Sequence, residues 1–401
     1  MERQILHVDV NNAFLSWTAV EQLKRGEKLD IRTIPSVIGG DEQQRKGIVL
    51  AKSAVAKQFG IKTAEPIYFA RKKCPSLKVY PSNFAIYRKY SDQLYELLLQ
   101  YTDQIEKFSI DECFLDMTHD LKKDQTLLQV AEEIKKKVKE QLGFTVNIGV
   151  STNKLLAKMA SDFEKPDKIH TLYPSEISQK MWPLPVSELF MVGKRTLPKL
   201  EKWRIKTIKD LANYPKELLI KQFGKYGKKM WEYANGIDFS EVNNKPEKPK
   251  GIGNSITLPK DVGDKEKLQE VLVALSEQVA YRLRKEEMLA NVISIQLKTK
   301  EFVSYSHQKK LSSPTDHTKQ ICDTAKELLQ VLYRQGQQIR LIGLRVEDLT
   351  DKAQVQLSLF ENTQNNNQKI DKVIDDLKKK YGYNAVTLAG KMKISEIIHF
   401  K

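Results

Sequence analysis

Two adjacent carboxylates, Asp111 and Glu112, interrupt an apolar run: Ile105, Phe108 and Ile110 lead into them, and Phe114, Leu115 and Met117 follow. The pattern predicts two short strands joined by a tight turn, with the acidic pair at its tip. A bare Asp-Glu at a turn is ordinarily just solvated. Near the N-terminus, however, Ile5-Leu6-His7-Val8 reads as a buried strand that runs straight into Asp9, a charge placed where an apolar strand ends. Three carboxylates at strand ends can converge on one edge of a sheet and hold two hard cations, the arrangement that stabilises attacking and leaving oxygens in phosphoryl transfer.

The elements that must position these groups are legible around them. After Asp9, the apolar spacing from Val10 to Val20 predicts a turn at Asn11-Asn12 and then a helix. Phe14, five residues past Asp9, is either ordinary core or the wall of a substrate pocket, and the helix pattern alone favours core. Residues 35–40 and 47–51 read as strands around a polar turn, followed by a helix from about Ser53 to Phe59 that Gly60 ends. Lys52 and Lys57 lie in this small subdomain, where lysines are usually solvated. Asn83 to Tyr101 forms an aromatic-rich helix, Leu127 to Leu142 another with Lys135, Lys136, Lys137 and Lys139 mostly outward, and Phe144 to Val150 a strand. Strand, helix, strand, strand, helix, strand is the order of a split βαβ or ferredoxin-like fold, which brings Asp9 beside Asp111. Ser151 to Asp162 reads as a further helix, leading to Lys165 beside Pro166, a loop lysine expected to point back toward the sheet edge.

The chain has 401 residues, enough for two to four domains, with 40% hydrophobic residues to build their cores. A formal charge of +16 points to a polyanionic partner: nucleic acid by default, since Lys and Arg gain affinity by releasing phosphate counterions, or else an acidic membrane surface. No apolar run is long enough to span a bilayer, no lipidation signal is present, and Met-Glu-Arg-Gln leads directly into a strand without a secretory signal. Cys74, Cys113 and Cys322 have no metal-type spacing and are read as reduced thiols of a cytoplasmic protein.

Between Met191 and Trp231 there are 12 Lys and Arg against 3 Asp and Glu. A solvated face could carry this charge. Gly193-Lys194-Arg195 before one helix and Gly224-Lys225 before another nevertheless set glycines and bases at helix N-termini, where free amides bind phosphate, so sequence-independent duplex binding is favoured. Asn243 to Lys250 has linker composition. Beyond it the strand-helix-strand-strand-helix-strand order repeats between Ile252 and Val346, without a strand-end carboxylate cluster, which predicts a module that binds rather than catalyses. Gln356-Leu357-Ser358-Leu359-Phe360, an asparagine-rich spacer, and an amphipathic helix with Ile370, Val373, Ile374, Leu377 and Tyr381 on one face close the chain.

Asp9-Val10-Asn11, Phe14 and Ser109-Ile110-Asp111-Glu112-Cys113-Phe114-Leu115-Asp116 resemble the bacterial Y-family DNA polymerases, the lesion-bypass enzymes of the UmuC and DinB type, from about Ile5 to Val346. The resemblance implies an α+β right-hand polymerase: ferredoxin-like palm at 1–30 and 81–170, fingers at 31–80, helix-hairpin-helix thumb at 171–240, linker at 241–251, βαββαβ little finger at 252–350, and a clamp-binding segment with a terminal helix at 351–401. It implies that Asp9, Asp111 and the Val10 carbonyl bind two Mg²⁺ ions, with Glu112 supporting the 3′-hydroxyl side. Phe14 falls on the aromatic gate against the ribose 2′-hydroxyl, flanked by Asn12 and Ala13 in the nucleotide pocket, and Lys165 on a lysine that contacts the incoming deoxynucleoside triphosphate.

The implied activity is low-fidelity, template-directed extension of primer-template DNA without proofreading, by a monomer. The stretch Gln356, Leu357, Leu359, Phe360 is similar to the peptide that docks bacterial polymerases on the sliding β-clamp; an edge strand or flap is the structural alternative. The fingers depart from the pattern: Ala54 and Lys57 stand where many members have tyrosine and arginine, and Ala13 replaces an aromatic. These changes resemble the UmuC side. The thumb motif also lacks a second glycine two residues after Gly193. A DNA-binding scaffold without activity and a metal nuclease are the competing classes. The joint presence of Asp9, Asp111, Glu112, Phe14 and Lys165 argues against the first, and the lack of a separate hydrolytic site against the second.

Overall fold

The computed structural model describes residues 2–40, 45, 47–245, 248–354, 365–382 and 385–386. They divide into two compact units, one formed by residues 1–40 and 48–246, the other by 41–47 and 247–401.

In the first unit, β1 (Ile5–Val10) is buried along its whole length, and α1 (Ala13–Lys24) follows it after a two-residue turn. A small subdomain comes next: β2 (Ser36–Gly39), β3 (Val49–Lys52), α2 (Ala54–Gln58), α3 (Ile67–Lys73) and β4 (Lys78–Pro81). Ser53 caps α2 by accepting from the Ala56 amide, and Gly60 takes the left-handed backbone that ends the turn. The chain returns through α4 (Phe84–Leu98), β5 (Ile105–Lys107), β6 (Glu112–Asp116), α5 (Leu127–Lys137), β7 (Val146–Ser151), α6 (Lys154–Ser161) and β8 (Ile169–Thr171). A reciprocal capping box between Thr126 and Gln129 starts α5.

The main sheet has the order β5-β6-β1-β7-β8, and the subdomain sheet the order β3-β2-β4. The four central strands therefore take the ferredoxin-like order, with β8 added beside β7 at an edge that the sequence did not suggest. Alternation along β1 sends Leu6, Val8 and Val10 into a core shared with α1, α4 and α5. Ile5 faces the other way, into a small cluster with Phe114 and Ala157 of α6. The opposite side of α6 is also buried: Leu155, Leu156, Met159 and Ala160 join the core of the helical region α7 (Leu197–Lys202), α8 (Ile208–Ala212), α9 (Lys216–Phe223) and α10 (Lys225–Ala234).

The second unit contains β9 (Gly251–Val262), α11 (Lys265–Lys285), β10 (Met288–Thr299), β11 (Ser304–Thr315), α12 (Thr318–Leu332), β12 (Ile339–Asp351) and α13 (Asn365–Tyr381). The element order is the expected one, but the all-antiparallel sheet runs β11-β10-β12-β9, so it is not a copy of the first unit's strand order. The terminal helix corrects the sequence reading. Its predicted apolar stripe is largely in solvent, with Ile370, Val373 and Tyr381 all more than half exposed. The face turned inward carries Asp371, Asp375 and Lys378: Arg284 of α11 reaches Asp375 at 2.6 Å and Asp371 at 3.4 Å, and Lys378 pairs with Glu277. Charge pairing with α11 outweighs apolarity in choosing this face. The stretch Gln356–Phe360 lies outside the described residues.

Candidate active site

The carboxylates meet because β1 and β6 pair antiparallel in a single register: Asp9 is the partner of Glu112, and the Val10 amide donates to the Asp111 carbonyl at 3.0 Å. Asp9 is only 6% exposed. The acid pair thus sits where β6 begins, at the end of the turn from β5.

Two lysines answer this negative charge. Lys165 Nζ donates to Asp9 Oδ2 at 2.5 Å and pairs with Asp162 at 2.8 Å. Lys158, from α6 and only 7% exposed, donates to Glu112 Oε1 at 3.0 Å and lies 3.7 Å from Asp9 and 3.2 Å from Asp162. Burial favours the neutral amine in both, but the surrounding carboxylates overcome it and raise both pKa values, so both remain cations. Burial also works against ionisation of Glu112, yet His7 and Lys158 hold its carboxyl down at about 2. Asp111 goes the other way: burial, reinforced by the charges of Asp9 and Glu112, raises it against a 2.6 Å hydrogen bond from the Ser109 hydroxyl.

The loop carrying Lys165 is tied to the sheet by two buried asparagines. Asn11 Nδ2 donates to Asn147 Oδ1 at 3.1 Å, and Asn11 Oδ1 accepts from the Asp167 amide at 2.9 Å. Asn147 Nδ2 donates to the carbonyls of Ser161 and Glu164, at 3.0 and 2.6 Å. The strand end bearing Asp9, β7 and the Lys165 loop are therefore one hydrogen-bonded block. From the sequence Asn11 reads as a turn residue, and Asn147, Lys158, Ser161 and His7 do not stand out as site residues. A signal for His7 was present, since it precedes Asp9 by two residues and period-2 alternation puts both on one face.

Asn12, at φ 49°, is the left-handed residue from which α1 starts, and Ala13 is buried. Phe14 is half-buried and stacks on Tyr87 with centroids 4.3 Å apart and an interplanar angle of 7°, with Phe84 edge-on at 5.9 Å. Lys57 is not among the carboxylates' partners. It stands exposed on α2 near Lys52, whose ammonium burial and the Lys57 charge both destabilise, a pair that an anion would relieve. Gly193, Lys194, Arg195 and Lys225 are exposed at the starts of α7 and α10, remote in sequence from the carboxylates.

These carboxylates suit a hard divalent cation: the donors are oxygens, and burial together with their mutual repulsion raises Asp111. Among the described residues no three His, Cys, Asp or Glu side chains form a closed metal cage.

Residues 8–162 match the impB/mucB/samB family model, and residues 249–359 the model of that family's C-terminal domain. DNA polymerase IV of Clostridium acetobutylicum is 49% identical over 387 residues, which cover 96% of this chain and 97% of that protein. The chain belongs to the Y-family DNA polymerases. DNA polymerase IV of Acetivibrio thermocellus is 37% identical over 96% of each chain. A solved Y-family DNA polymerase chimera superposes with a TM-score of 0.76 at 23% identity, covering 87% of this chain and 99% of the chimera, which is a likeness of fold. The architecture is thus that of a Y-family polymerase, with palm, fingers, thumb and little finger. These relatives bear the name DNA polymerase IV, the DinB-like type, and do not carry the UmuC leaning read from the fingers.

Proposed function

We propose that this Y-family polymerase extends a primer on a DNA template past lesions, joining the α-phosphate of a deoxynucleoside triphosphate to the primer 3′-oxygen with loss of pyrophosphate. The observation that carries the reading is the β1–β6 register, which sets Asp9 against Glu112 with Asp111 one residue before it. In this reading Asp9, Asp111 and the Val10 carbonyl hold two Mg²⁺ ions, with Glu112 on the 3′-hydroxyl side. Bound there, the ions would neutralise charge developing on the attacking and leaving oxygens.

The remaining work falls to the protein's own groups. Lys165 supplies a cation at the edge of the carboxylates for the triphosphate, and Lys57 with Lys52 a second basic grip from the fingers. Ala54 and Lys57 stand in place of the tyrosine and arginine of many members, and with Ala13 they are the respects in which we read the enzyme as UmuC-like. Asn12, Ala13 and Phe14 form the floor under the sugar, where the Phe14 ring excludes a 2′-hydroxyl. Gly193, Lys194, Arg195 and Lys225 contact duplex phosphates through exposed ammonium, guanidinium and amide groups, giving affinity without sequence preference. We assign palm to 1–30 and 81–170, fingers to 31–80, thumb to 171–240, linker to 241–251 and little finger to 252–350, in a monomeric cytoplasmic enzyme. Among the described residues no helix is long and apolar enough to cross a membrane. Gln356, Leu357, Leu359 and Phe360 are proposed to dock on the sliding clamp, raising the local concentration of enzyme at the primer end.

Primer extension with Mg²⁺ and single deoxynucleotides tests the reading. Asp9→Ala, Asp111→Ala and Glu112→Ala should each abolish incorporation while primer-template affinity persists, because the basic surface carries affinity. Full extension by any of the three would refute the site.

A further inference from the structure

His7 has no part in the reaction just described, yet it stands directly behind the Glu112 carboxylate. It is 0% exposed. In the sheet it lies between Phe114 of β6 and Gly149 of β7, its ring packed against Phe114 at 4.5 Å. Its Nδ1 is 2.8 Å from Ser161 Oγ, and that hydroxyl is also 2.8 Å from the Lys158 carbonyl. At the other end of the ring, Nε2 lies 3.5 Å from Glu112 Oε2, at the limit of hydrogen-bonding distance, and has no other partner among the described residues.

One serine proton must choose between two acceptors, and the choice decides what Glu112 meets. If the hydroxyl donates to the Lys158 carbonyl, a ring bearing one proton must carry it on Nδ1. The bare Nε2 lone pair then faces an oxygen of the part-buried Glu112 carboxylate, acceptor against acceptor, and the buried ring nitrogen is left uncompensated. If the hydroxyl donates to Nδ1, the ring proton sits on Nε2 and points at Oε2. A doubly protonated ring would donate at both ends and also satisfy Glu112, so only the Nδ1–H form leaves the conflict. The other oxygen of the same carboxylate, Oε1, is already held by Lys158 at 3.0 Å.

We infer that His7 is a positioning residue for the catalytic carboxylates: anchored at Nδ1 by Ser161, it presents Nε2–H to Glu112 Oε2 and, with Lys158 on Oε1, fixes the plane of that carboxylate. The inference rests on the proposed role of Glu112 at a divalent-cation site. Groups that orient a ligating carboxylate from behind are worth about 10–100-fold in metal affinity or activity. The sequence neighbourhood fits this role. His7 and Asp9 share a face of β1, Lys158 and Ser161 are one turn apart on α6, and the bare backbone of Gly149 lets α6 come close enough for both to reach the site.

The test uses the full chain with Mn²⁺ as the probe, titrated by electron paramagnetic resonance in the presence of a dideoxy-terminated primer-template and the correct deoxynucleotide. His7→Phe keeps the ring and removes both nitrogens; it should weaken Mn²⁺ binding about tenfold or more and leave primer-template affinity within about twofold. His7→Gln can place an amide nitrogen near the Nε2 position and should recover most of the loss. His7→Asn reaches only the Nδ1 position and should behave like His7→Phe. Unchanged Mn²⁺ affinity in His7→Phe, or equal recovery by Gln and Asn, would overturn the proposal in favour of simple packing. The wild-type protein supplies a check that no folding defect can obscure: with ¹⁵N-labelled histidine, the His7 ring must show a proton on Nε2, and a ring protonated only at Nδ1 refutes the proposal. Glu112→Ala separates the two readings. If it also leaves Mn²⁺ affinity intact, the metal reading fails, and His7 is then decided by the proton position alone.

Discussion

Gly149 is the residue on which the geometry of the palm is most sensitively balanced. A Cβ built there would lie 1.8 Å from the Ala157 carbonyl oxygen and 2.6 Å from the Ser161 amide nitrogen, both backbone atoms of α6 that no rotamer change can move. To reach even 3.0 Å from the carbonyl oxygen, α6 must retreat by about 1.2 Å. Overpacking of this kind costs about 1–3 kcal/mol, and the absence of a flexible partner puts Gly149→Ala at the upper end, near 3 kcal/mol. For a unit of roughly 240 residues that corresponds to a fall in melting temperature of about 6–12 °C. The same shift draws Lys158 off Glu112 and Ser161 off His7, and a misplacement of about 1 Å near a reacting centre costs on the order of 100-fold in rate. Duplex affinity, carried by surface cations, should change little. Calorimetric melting and single-turnover incorporation under saturating primer-template measure the two effects. A soluble Gly149→Ala variant that melts and turns over like the parent would refute the claim that close approach of α6 to β7 sets the site.

Phe14→Ala should cost about 2–3 kcal/mol, below the ~3–5 of a fully buried phenylalanine because the ring is only half-buried, and should raise ribonucleotide over deoxynucleotide incorporation. Stability loss with an unchanged ratio in single-turnover assays would leave Phe14 as packing for Tyr87 alone. Asp210 accepts from the Thr207 and Lys206 amides at 2.8 and 2.9 Å, which hold its carboxyl below the usual range. Such a depressed group contributes stability above about pH 4 that is lost as pH falls through its lower folded value. Asp210 is the reciprocal partner of Thr207 in the capping box that starts α8, so Asp210→Ala should cost about 0.5 kcal/mol at pH 7, modest because the side chain is exposed and solvent-screened, with the difference from the parent narrowing below pH ~4 in paired thermal melts; a constant difference would contradict this capping role. Replacing Leu359 and Phe360 by Ala should leave extension by the isolated enzyme nearly unchanged and remove its stimulation by a loaded clamp, whereas unchanged stimulation would place the docking peptide elsewhere.

The palm could be read from the chain because its signals are local and agree with one another. An apolar strand ending in Asp9 and an acidic pair between two short strands leave few registers in which all three carboxylates share an edge, and the β1–β6 pairing is one of these. The second unit was harder for a stated reason: element order limits sheet order without determining it, and two modules with the same succession of strands and helices arrange those strands differently. α13 was misread because hydrophobic periodicity assigns the inner face by apolarity alone. Arg284 and Glu277, some 90 or more residues earlier on α11, supply the partners that turn Asp371, Asp375 and Lys378 inward. A buried charge is tolerated only with its partner, so its burial is a property of the pair and cannot be seen from either residue's neighbours.

The same reasoning explains which half of the candidate site does not show in the sequence. Asp9, Asp111 and Glu112 declare themselves by breaking apolar runs, and Lys165 by its place in a loop beside proline. Lys158, Ser161, Asn147 and His7 declare nothing of the kind, because each sits within a regular element where a single polar residue reads as a solvent-facing position. What makes them inward-facing is the double burial of α6, packed on the sheet through Ala157 and on the helical region α7–α10 through Leu155, Leu156 and Met159. A helix covered on both sides has no solvent face on which to place a lysine, so Lys158 can lie only beside groups that stabilise its charge. The carboxylates proposed to hold metal are also those that make Lys158 tolerable, and the loss of either side of that pairing should unsettle the other.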